Sequence, residues 1–376
     1  MKTLERYFAV EIVRSALFVL AAFLAIFAFF DLIGELQSVG RGGYRLQHAF
    51  LYVAMGLPGY VYELMPIAVL IGTIYVLAQL AARSEFTIMR ASGMSTAMAA
   101  GILFKIGILF VLLTVLFGEL ISPAVSGLAE RLKLQAQGLP ISQEFRSGLW
   151  AKDVIREQGT SGAVVGSRFL NVRQLRPDGR LEGVRSYEFD QDFHLVEILN
   201  AASAEYLGDN VWKLTDVAET RFHSAGPQQQ VQSVSTERRA EDQLVTEITP
   251  SLLAVLFADP DRMSAYDLAA YSRHLAENNQ NNERYQIAFW KKVVYPFAVF
   301  VMMALALPFA YLHFRSGGVS LKIFTGIMIG VSFQLANNLF SHLGLLNTWP
   351  PLATAVLPSV LFLLLAMAAL LWMERR

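Results

Sequence analysis

Residues 94–121 read MSTAMAAGILFKIGILFVLLTVLFGELI, and this stretch decides the fold of the chain. It exceeds the roughly 20 mainly apolar residues that a membrane-spanning helix needs, and Lys105 interrupts it near its start. Beyond it the apolar signal stops and returns only at Val293. The sequence therefore predicts two groups of membrane-spanning helices with a polar insertion between them.

Five further apolar stretches accompany this one. Two precede it and three follow the insertion, at residues 7–30, 49–80, 293–312, 323–340 and 352–372. No cleavage pattern of small residues follows the first stretch, so we expect it to be retained as a span. The predicted fold class is an α-helical bundle of six transmembrane helices, three plus three, with an inserted antiparallel β domain.

The composition fits a membrane protein. Of the 376 residues, 54% are hydrophobic and 16% are charged, against roughly 25% charged residues in soluble domains. The 31 Lys and Arg residues balance the 31 Asp and Glu residues, so no basic surplus indicates a nucleic-acid partner. The absence of cysteine excludes disulfides, thiolate catalysis and cysteine-ligated metals.

The insertion has the pattern of a β domain. Most charged residues lie between residues 130 and 284, and the turn sequences 177–179 (Pro-Asp-Gly) and 208–210 (Gly-Asp-Asn) separate alternating segments. These features predict an antiparallel sheet over about residues 149–248. Its edges could pair with a partner's sheet, and a closed sandwich without a partner explains the pattern equally well. The predicted domains are 1–129 (three spans), 130–262 (β domain) and 263–376 (linking helix and three spans).

The orientation follows from the short loops, since Lys and Arg are retained on the cytoplasmic side. One side carries eight basic residues: Lys2, Arg6, Arg83, Arg90, Arg315, Lys322, Arg375 and Arg376. The opposite side has a loop at 31–48 with two arginines and a loop at 341–349 with none. We therefore expect cytoplasmic termini and a β domain on the other face of the membrane.

The chain lacks recognisable catalytic motifs. No P-loop sequence, no H-E-x-x-H zinc motif and no G-x-S-x-G nucleophile motif occurs, and the six histidines are scattered. We therefore predict no catalytic residue, no metal site and no cofactor bound by this chain. A membrane-embedded enzyme would need polar groups clustered at one depth, and only Gln334, Asn337 and Asn338 offer such a group.

Polar residues within the spans have structural and functional interpretations. Glu63 lies between Pro58 and Pro66, and we favour an interfacial position for it over one deep in the membrane. For Asn337 and Asn338 we favour hydrogen bonding between helices, worth about 1 kcal/mol or less each, over lining a cavity.

The loop between the second and third spans, at residues 81–93 (AARSEFTIMRASG), has the clearest pattern of a functional site in the chain. Phe86, Met89 and Arg90 fall on one side of a helix, and Glu85 adjoins them. Such a short helix either lies on lipid or fits a partner's groove. Because the chain has no nucleotide site of its own, a separate ATPase is a reasonable partner, although the lipid surface explains the composition equally well.

Several segments resemble one family, the lipopolysaccharide-export permeases, which are the paired F and G subunits of an ABC transporter. Residues 83–85 with 89–93 resemble the coupling-helix signature of that family. The other similar segments are 148–153 (Gly-Leu-Trp-Ala-Lys-Asp), typical of the G subunit's β-jellyroll entry, then 284–286, Trp290, Pro296, 350–351 and 357–359. The resemblance extends over the whole chain in order.

The resemblance implies a function, a location and partners. Such permeases extract lipopolysaccharide from the periplasmic leaflet of the Gram-negative inner membrane, and their β domain is jellyroll-like. The implied partners are an F-type permease subunit, two copies of a cytoplasmic ATPase that holds ATP and Mg, a single-helix periplasmic jellyroll bridge protein, lipopolysaccharide and membrane lipid. The alternatives are an F-type paralogue, a membrane-embedded enzyme and a non-transporting envelope scaffold. A macrolide-type permease is disfavoured by the three-plus-three split.

The resemblance also implies site residues. The ATPase-coupling helix would comprise Arg83, Ser84, Glu85, Phe86, Met89, Arg90 and Gly93. The family has basic residues near the outer end of the first helix, but residues 31–38 here contain Asp31 and Glu35 and no Lys or Arg. We therefore expect phosphate contacts at Arg41, Arg131 and Lys133. The expected lipid-cavity residues are Phe29, Phe30, Ile327, Phe333, Gln334 and Asn337.

Overall fold

The structure is a computed structural model. It describes residues 2–138, 149–158, 161–176, 178–225, 230–250, 252–253, 260–278, 280–311, 319–347 and 349–374. Among these, six helices are long and apolar enough to cross a membrane, which confirms the predicted spans. Five residues used in the sequence predictions lie outside the described residues: Gly148, Pro177, Arg315, Arg375 and Arg376.

The first three spans form a continuous group before the β domain. Helix α1 covers Lys2–Leu36, α2 covers Leu46–Ala82, the loop helix α3 covers Glu85–Ala91, and α4 covers Thr96–Val115. A π-helical turn at Leu116–Ile121 joins α4 to α5 (Ser122–Gln137). The third span therefore extends well beyond the apolar stretch, and the domain boundary predicted at residue 130 falls inside α5.

The last three spans follow a linking helix. Helix α6 covers Ala265–Glu277 and packs against α7 (Glu283–Val294) through Leu268, Tyr271 and Leu275. Span 4 continues through α8 (Ala298–Ala306), and the last two spans are α9 (Val319–Asn347) and α10 (Pro351–Glu374). Pro296 and Pro308 lie in the short 3-10 turns on either side of α8, because proline lacks the N–H that an α-helical hydrogen bond requires.

Helix α2 is the centre of the bundle. In its most apolar window 83% of the residues are buried, against 11% in α1 and 22% in α9. Close packing against α1 depends on Gly72, where an added Cβ would lie 2.6 Å from the backbone nitrogen of Ala16. Much of α1, α9 and α10 therefore presents apolar surface that the described residues do not cover.

The β domain is one six-stranded antiparallel sheet whose strands pair in sequence order. Its strands are β1 (Leu149–Gln158), β2 (Ser161–Leu175), β3 (Leu181–Asp190), β4 (Leu195–Gly208), β5 (Val211–Ala225) and β6 (Gln230–Val245). Asp209 and Asn210 both have positive φ, which gives the tight turn that suits a two-residue hairpin. The predicted inserted antiparallel domain is confirmed, and its described strands form a meander.

The sheet curls so that its first and last strands approach each other. Arg168 Nη1 on β2 donates to the carbonyl oxygen of Val245 at 2.7 Å, and the Thr246 hydroxyl donates to Asp153 on β1. At one end the enclosed space holds an apolar core around Trp212, whose indole N–H bonds to Ile248. The curled shape fits the jellyroll-like domain that the resemblance implies.

Candidate functional site

The loop helix α3 folds back onto the bundle. Ser84, with φ of 59°, turns the chain between α2 and α3. Phe86 is 2% exposed and packs edge-on against Tyr311, with ring centroids 5.2 Å apart. Phe86 therefore does not share an exposed, partner-facing stripe with Met89 and Arg90. Burial in the chain's own core satisfies the aromatic ring, so its role is to anchor the helix.

The charged groups of α3 contact two different spans. The Tyr7 hydroxyl of α1 donates a hydrogen bond to Glu85 Oε2 at 3.2 Å, and Arg83 Nη1 lies 3.8 Å from Glu85 Oε1. The Arg90 guanidinium lies 4.8 Å from the ring centre of Tyr311 at the end of span 4. Movement of α3 would therefore be transmitted to both span 1 and span 4.

The remaining surface of α3 is small and apolar. Met89 is half-buried, whereas Ile88 is 63% exposed and follows the exposed residue Thr87. The helix ends in a Schellman motif, in which the Met94 N–H bonds to the Met89 carbonyl and Gly93 has φ of 99°. Sequence analysis missed Ile88, although its position two residues after Phe86, about half a turn around the helix, indicates exposure once Phe86 is known to face inward.

The C-terminal end of α1 carries a buried ion pair. Glu35 is 8% exposed, and its Oε2 lies 3.0 Å from Lys133 Nζ on α5. The Lys133 ammonium also lies 4.5 Å from the ring centre of Tyr52. We expected Lys133 to contact phosphate, but in this structure its ammonium is paired with Glu35, an acidic residue that departs from the family pattern.

The other side of the Glu35 carboxylate is unsatisfied. Neither its Oε1 nor the Tyr44 hydroxyl has a hydrogen-bond partner within the described part of the chain. Burial, followed by the nearby Glu35 carboxylate, raises the pKa of the Tyr44 hydroxyl. The Tyr44 hydroxyl therefore stays protonated and is available as a second donor to Glu35.

The three expected phosphate contacts do not converge on one point. The loop after α1 docks on the end of α5, where the Gly43 N–H bonds to the Ala136 carbonyl at 2.8 Å. Arg41 on this loop and Arg131 on α5 are exposed. Because residues two apart on a helix do not share a face, Arg131 points away from the side on which Lys133 meets Glu35.

The expected lipid-cavity residues fall into two groups on different helices. Phe29 and Phe30 are 60% and 66% exposed on α1. On α9, Ile327 and Gln334 are half-buried, but Phe333 is fully buried against Phe362 and Asn337 is 6% exposed, with its Nδ2 bonded to the Phe333 carbonyl. Phe333 and Asn337 therefore do not line an open cavity, because both are used in packing within the chain.

The sequence analysis missed two charged residues at the end of the spans that lies nearest the linking helix α6. Glu119, in the π-helical turn, accepts a hydrogen bond from the Ala265 N–H at 2.8 Å and so holds the start of the linking helix. Lys292 on α7 is 6% exposed and lines a cavity of about 210 Å³ with Glu63 and Gln334. Both residues could have been found in the sequence as charged residues in or beside an apolar stretch. Glu119 interrupts residues 94–121, and Lys292 directly precedes Val293.

Six spans, a β domain inserted after the third, and a helix anchored in the short loop between spans 2 and 3 define a multi-pass membrane permease. The family described as lipopolysaccharide export system permease LptF/LptG matches residues 6–373. The chain belongs to this family, which makes it a multi-pass protein of the inner membrane.

Relatives of established name agree with this assignment. The lipopolysaccharide export system permease protein LptG of Escherichia coli K12 is 30% identical over 99% of this chain and 98% of its own length. The protein of the same name from Haemophilus influenzae is 28% identical over 97% of both chains. The predicted likeness to the G-type subunit is confirmed.

Proposed function

We propose that this chain is a permease subunit that extracts lipopolysaccharide from the periplasmic leaflet of the inner membrane and passes it toward the outer membrane. The single observation that carries this proposal is the family match over residues 6–373, together with a fold of six spans and an inserted β domain. The chain itself acts without catalysis, and a separate cytoplasmic ATPase that holds ATP and Mg supplies the energy.

The proposed orientation has both termini and α3 in the cytoplasm and the β domain in the periplasm. The basic loop residues support it, because Lys and Arg are retained on the cytoplasmic side. Arg83 and Arg90 flank α3, whereas the loop between α9 and α10 has no Lys or Arg.

The proposed contact with the ATPase is α3, with one ATPase copy under this chain and a second under an F-type partner subunit. Glu85 would pair with a basic group of the ATPase, and the exposed Ile88 would enter an apolar part of its groove. Closure of the two ATPases would then move α1 through Tyr7 and span 4 through Tyr311.

The lipid would occupy a cavity that this chain builds only in part. Phe29 and Phe30 on α1 and Ile327 on α9 belong to helices that pack on α2 and leave apolar surface uncovered. An F-type permease subunit would close the cavity from the other side. The single helix of a periplasmic bridge protein would cover part of α1.

The phosphates of the lipid would meet Arg41 and Arg131 first, because both side chains are exposed. Lys133 would join only after leaving Glu35, since a phosphate must compete with a carboxylate that is already paired at 3.0 Å. In this chain Glu35 would therefore act as an internal competitor for the lipid's phosphate.

Native mass spectrometry of the tagged chain, extracted from its own membrane in mild detergent, tests the proposal. We expect a homologous six-span subunit, two copies of one ATPase and bound lipopolysaccharide. Recovery of the chain alone, or with a different ATPase and no glycolipid, would contradict the exporter function and favour an envelope scaffold.

A further inference from the structure

A polar cavity of about 210 Å³ lies where the outer parts of α2, α7 and α9 meet. It is separate from the contacts of Arg41, Arg131 and Lys133, which lie on α5 and on the loop after α1. Its polar lining includes Tyr62, Glu63, Asp261, Lys292, Gln334 and Asn338, together with Lys291 and Tyr295.

Lys292 is a buried cation that makes no ion pair among the described residues, although the carboxylates of Glu119, Asp261 and Glu63 lie nearby. The residue is only 6% exposed, yet its ammonium has no ion pair and no hydrogen bond within the ranges that the structure describes. Its one specific contact is the ring of Tyr62, whose centre lies 4.9 Å away. The neighbouring Lys291 already pairs with Asp261 at 3.2 Å. Because an unpaired buried charge is costly, this ammonium favours an anionic occupant of the cavity.

Neutral donors face the same space. Gln334 and Asn338 lie four residues apart, on one side of α9, and both line the cavity. The Tyr295 hydroxyl bonds to the Glu63 carbonyl and contacts Gln334 Oε1 at 3.4 Å. This contact leaves the amide nitrogen of Gln334 available as a donor to an oxygen of the occupant.

The cavity also presents a negative charge. Glu63 is exposed, belongs to the cavity lining, and has no ion-pair partner in the described structure. A simple dianion at Lys292 would meet repulsion from this carboxylate. A zwitterion with a phosphate and an amine would satisfy both charges with charge-assisted hydrogen bonds.

The depth of the cavity matches the level of lipid headgroups. About 28 Å of helix separates Glu63 from the inner end of α2, and about 27 Å separates Lys292 from the inner end of span 4, at 1.5 Å per residue. The hydrocarbon core of a bilayer is about 30 Å thick. The lining residues therefore lie near the outer boundary of the hydrocarbon.

We propose that this cavity binds the phosphoethanolamine headgroup of a membrane lipid, with the phosphate on Lys292 and the amine on Glu63. The bound headgroup would join spans 2, 4 and 5 at the outer membrane surface. The proposal does not depend on lipopolysaccharide transport, because its ligand is a bilayer phospholipid. The same phosphate chemistry also occurs on lipopolysaccharide, and the experiment separates the two sources.

The test uses the full chain with its copurifying subunits, stripped of lipid in detergent and titrated in native mass spectrometry. The probes are phosphatidylethanolamine, phosphatidylglycerol and lipopolysaccharide. We expect one phosphatidylethanolamine to bind in preference to phosphatidylglycerol, and Lys292→Gln to weaken it about tenfold or more, as loss of a charged hydrogen bond does. Lys105→Gln, a matched loss of one ammonium at a lysine paired with Glu5, should leave binding unchanged.

Glu63→Gln separates headgroup recognition from general phosphate binding. It should abolish the preference for phosphatidylethanolamine over phosphatidylglycerol while keeping the dependence on Lys292. Lys292→Arg should retain binding, which guards against a folding defect in Lys292→Gln. Lipid binding that is equal in Lys292→Gln and the unchanged chain would overturn the site. Lysine-dependent binding of lipopolysaccharide alone would overturn the phospholipid assignment.

Discussion

At the residue scale, the two partners of the Glu35–Lys133 ion pair differ in burial. Glu35 is almost completely buried, while the Lys133 side chain retains 22% exposure. Lys133→Gln leaves a buried carboxylate unpaired and should cost about 1–3 kcal/mol of unfolding free energy. Glu35→Gln should cost less and should increase lipopolysaccharide binding, because it releases Lys133. Thermal melting of the detergent-solubilised chain measures the first effect, and a lipid-binding titration measures the second.

Arg131→Gln is the matched control for that comparison, since Arg131 is exposed on the same helix. Its melting temperature should stay within error of the unchanged chain. Equal destabilisation by Glu35→Gln and Lys133→Gln, with no change in lipid binding, would refute the competitor role of Glu35.

Within the β domain, we expect two glutamates on neighbouring strands, Glu197 and Glu219, to have opposite effects on stability. A cavity of about 280 Å³ inside the curled sheet is lined by charged residues of several strands. Glu219 is 3% exposed and pairs with Arg221 and Arg239. Burial, followed by the charges of Glu188 and Glu219, raises the pKa of Glu197 above its usual value.

This raised pKa fixes the sign of a pH effect. Between the ordinary carboxyl pKa and the raised one, the folded domain holds a proton that the unfolded chain releases, so stability falls as pH rises through that window. Glu197→Gln removes this loss. The variant should therefore melt at a higher temperature than the unchanged chain at pH 7, and the difference should be smaller at pH 4.5. Far-ultraviolet circular dichroism of the full chain follows the sheet through the transition.

Glu219→Gln provides the contrast on the next strand. It leaves two arginines without their buried partner, and breaking such a pair costs up to about 3–5 kcal/mol. It should therefore lower the melting temperature at pH 7. A lower melting temperature in Glu197→Gln at pH 7 would show that its pairing with Arg221 outweighs burial and repulsion.

At the element scale, glycine sets how closely α1 and α2 pack. A Cβ at Gly72 would lie 2.6 Å from the Ala16 nitrogen, so Gly72→Ala must push the two helices apart. Overpacking of this kind costs about 1–3 kcal/mol, and we expect a lower melting temperature in detergent. Gly101→Ala on α4 is the control, because an added Cβ there meets nothing within 4 Å. Equal melting of both variants would contradict the packing argument.

Periodicity predicts the type of each element, but it does not predict which side of a short helix is buried. The spans and the sheet follow from apolar length and from period-two alternation, which are local properties. The helical spacing of Phe86 and Met89 predicts that they share one side of α3, but spacing alone does not say which side of the helix faces the bundle. Its burial depends on Tyr311, which lies far away in the chain.

The candidate site shows the same limit. The cations Lys133 and Lys292 are visible in the sequence, but their partners are not. Glu35 pairs with Lys133, which follows it by 98 residues in the chain. Within the described residues Lys292 has no ion-pair partner, because the helices α2, α7 and α9 place the surrounding carboxylates elsewhere. Such pairings depend on the tertiary structure, which hydropathy and motif spacing do not predict.

At the scale of the whole molecule, α3 joins two spans at the end of the bundle where the N-terminus of α1 lies. The Tyr7–Glu85 hydrogen bond ties it to α1, whose C-terminal end carries the Glu35–Lys133 pair. α1 is one long helix from Lys2 to Leu36, so a push at Tyr7 reaches Glu35. This continuity gives a physical route from ATP hydrolysis in a partner to the proposed phosphate contacts.

Variants that affect ATPase binding can be compared with variants that affect only force transmission to α1, and this comparison tests the route. Glu85→Lys should weaken copurification of the ATPase and abolish lipopolysaccharide transport, because it reverses the charge offered to the ATPase. Tyr7→Phe removes only the hydroxyl, so ATPase copurification should stay normal while lipopolysaccharide released per ATP hydrolysed falls severalfold in proteoliposomes. Lys105→Gln breaks a different contact at the same end of α1, the ion pair of Lys105 on α4 with Glu5 on α1, and should preserve that ratio. A normal ratio in Tyr7→Phe would mean that force enters through Phe86 and span 4 instead.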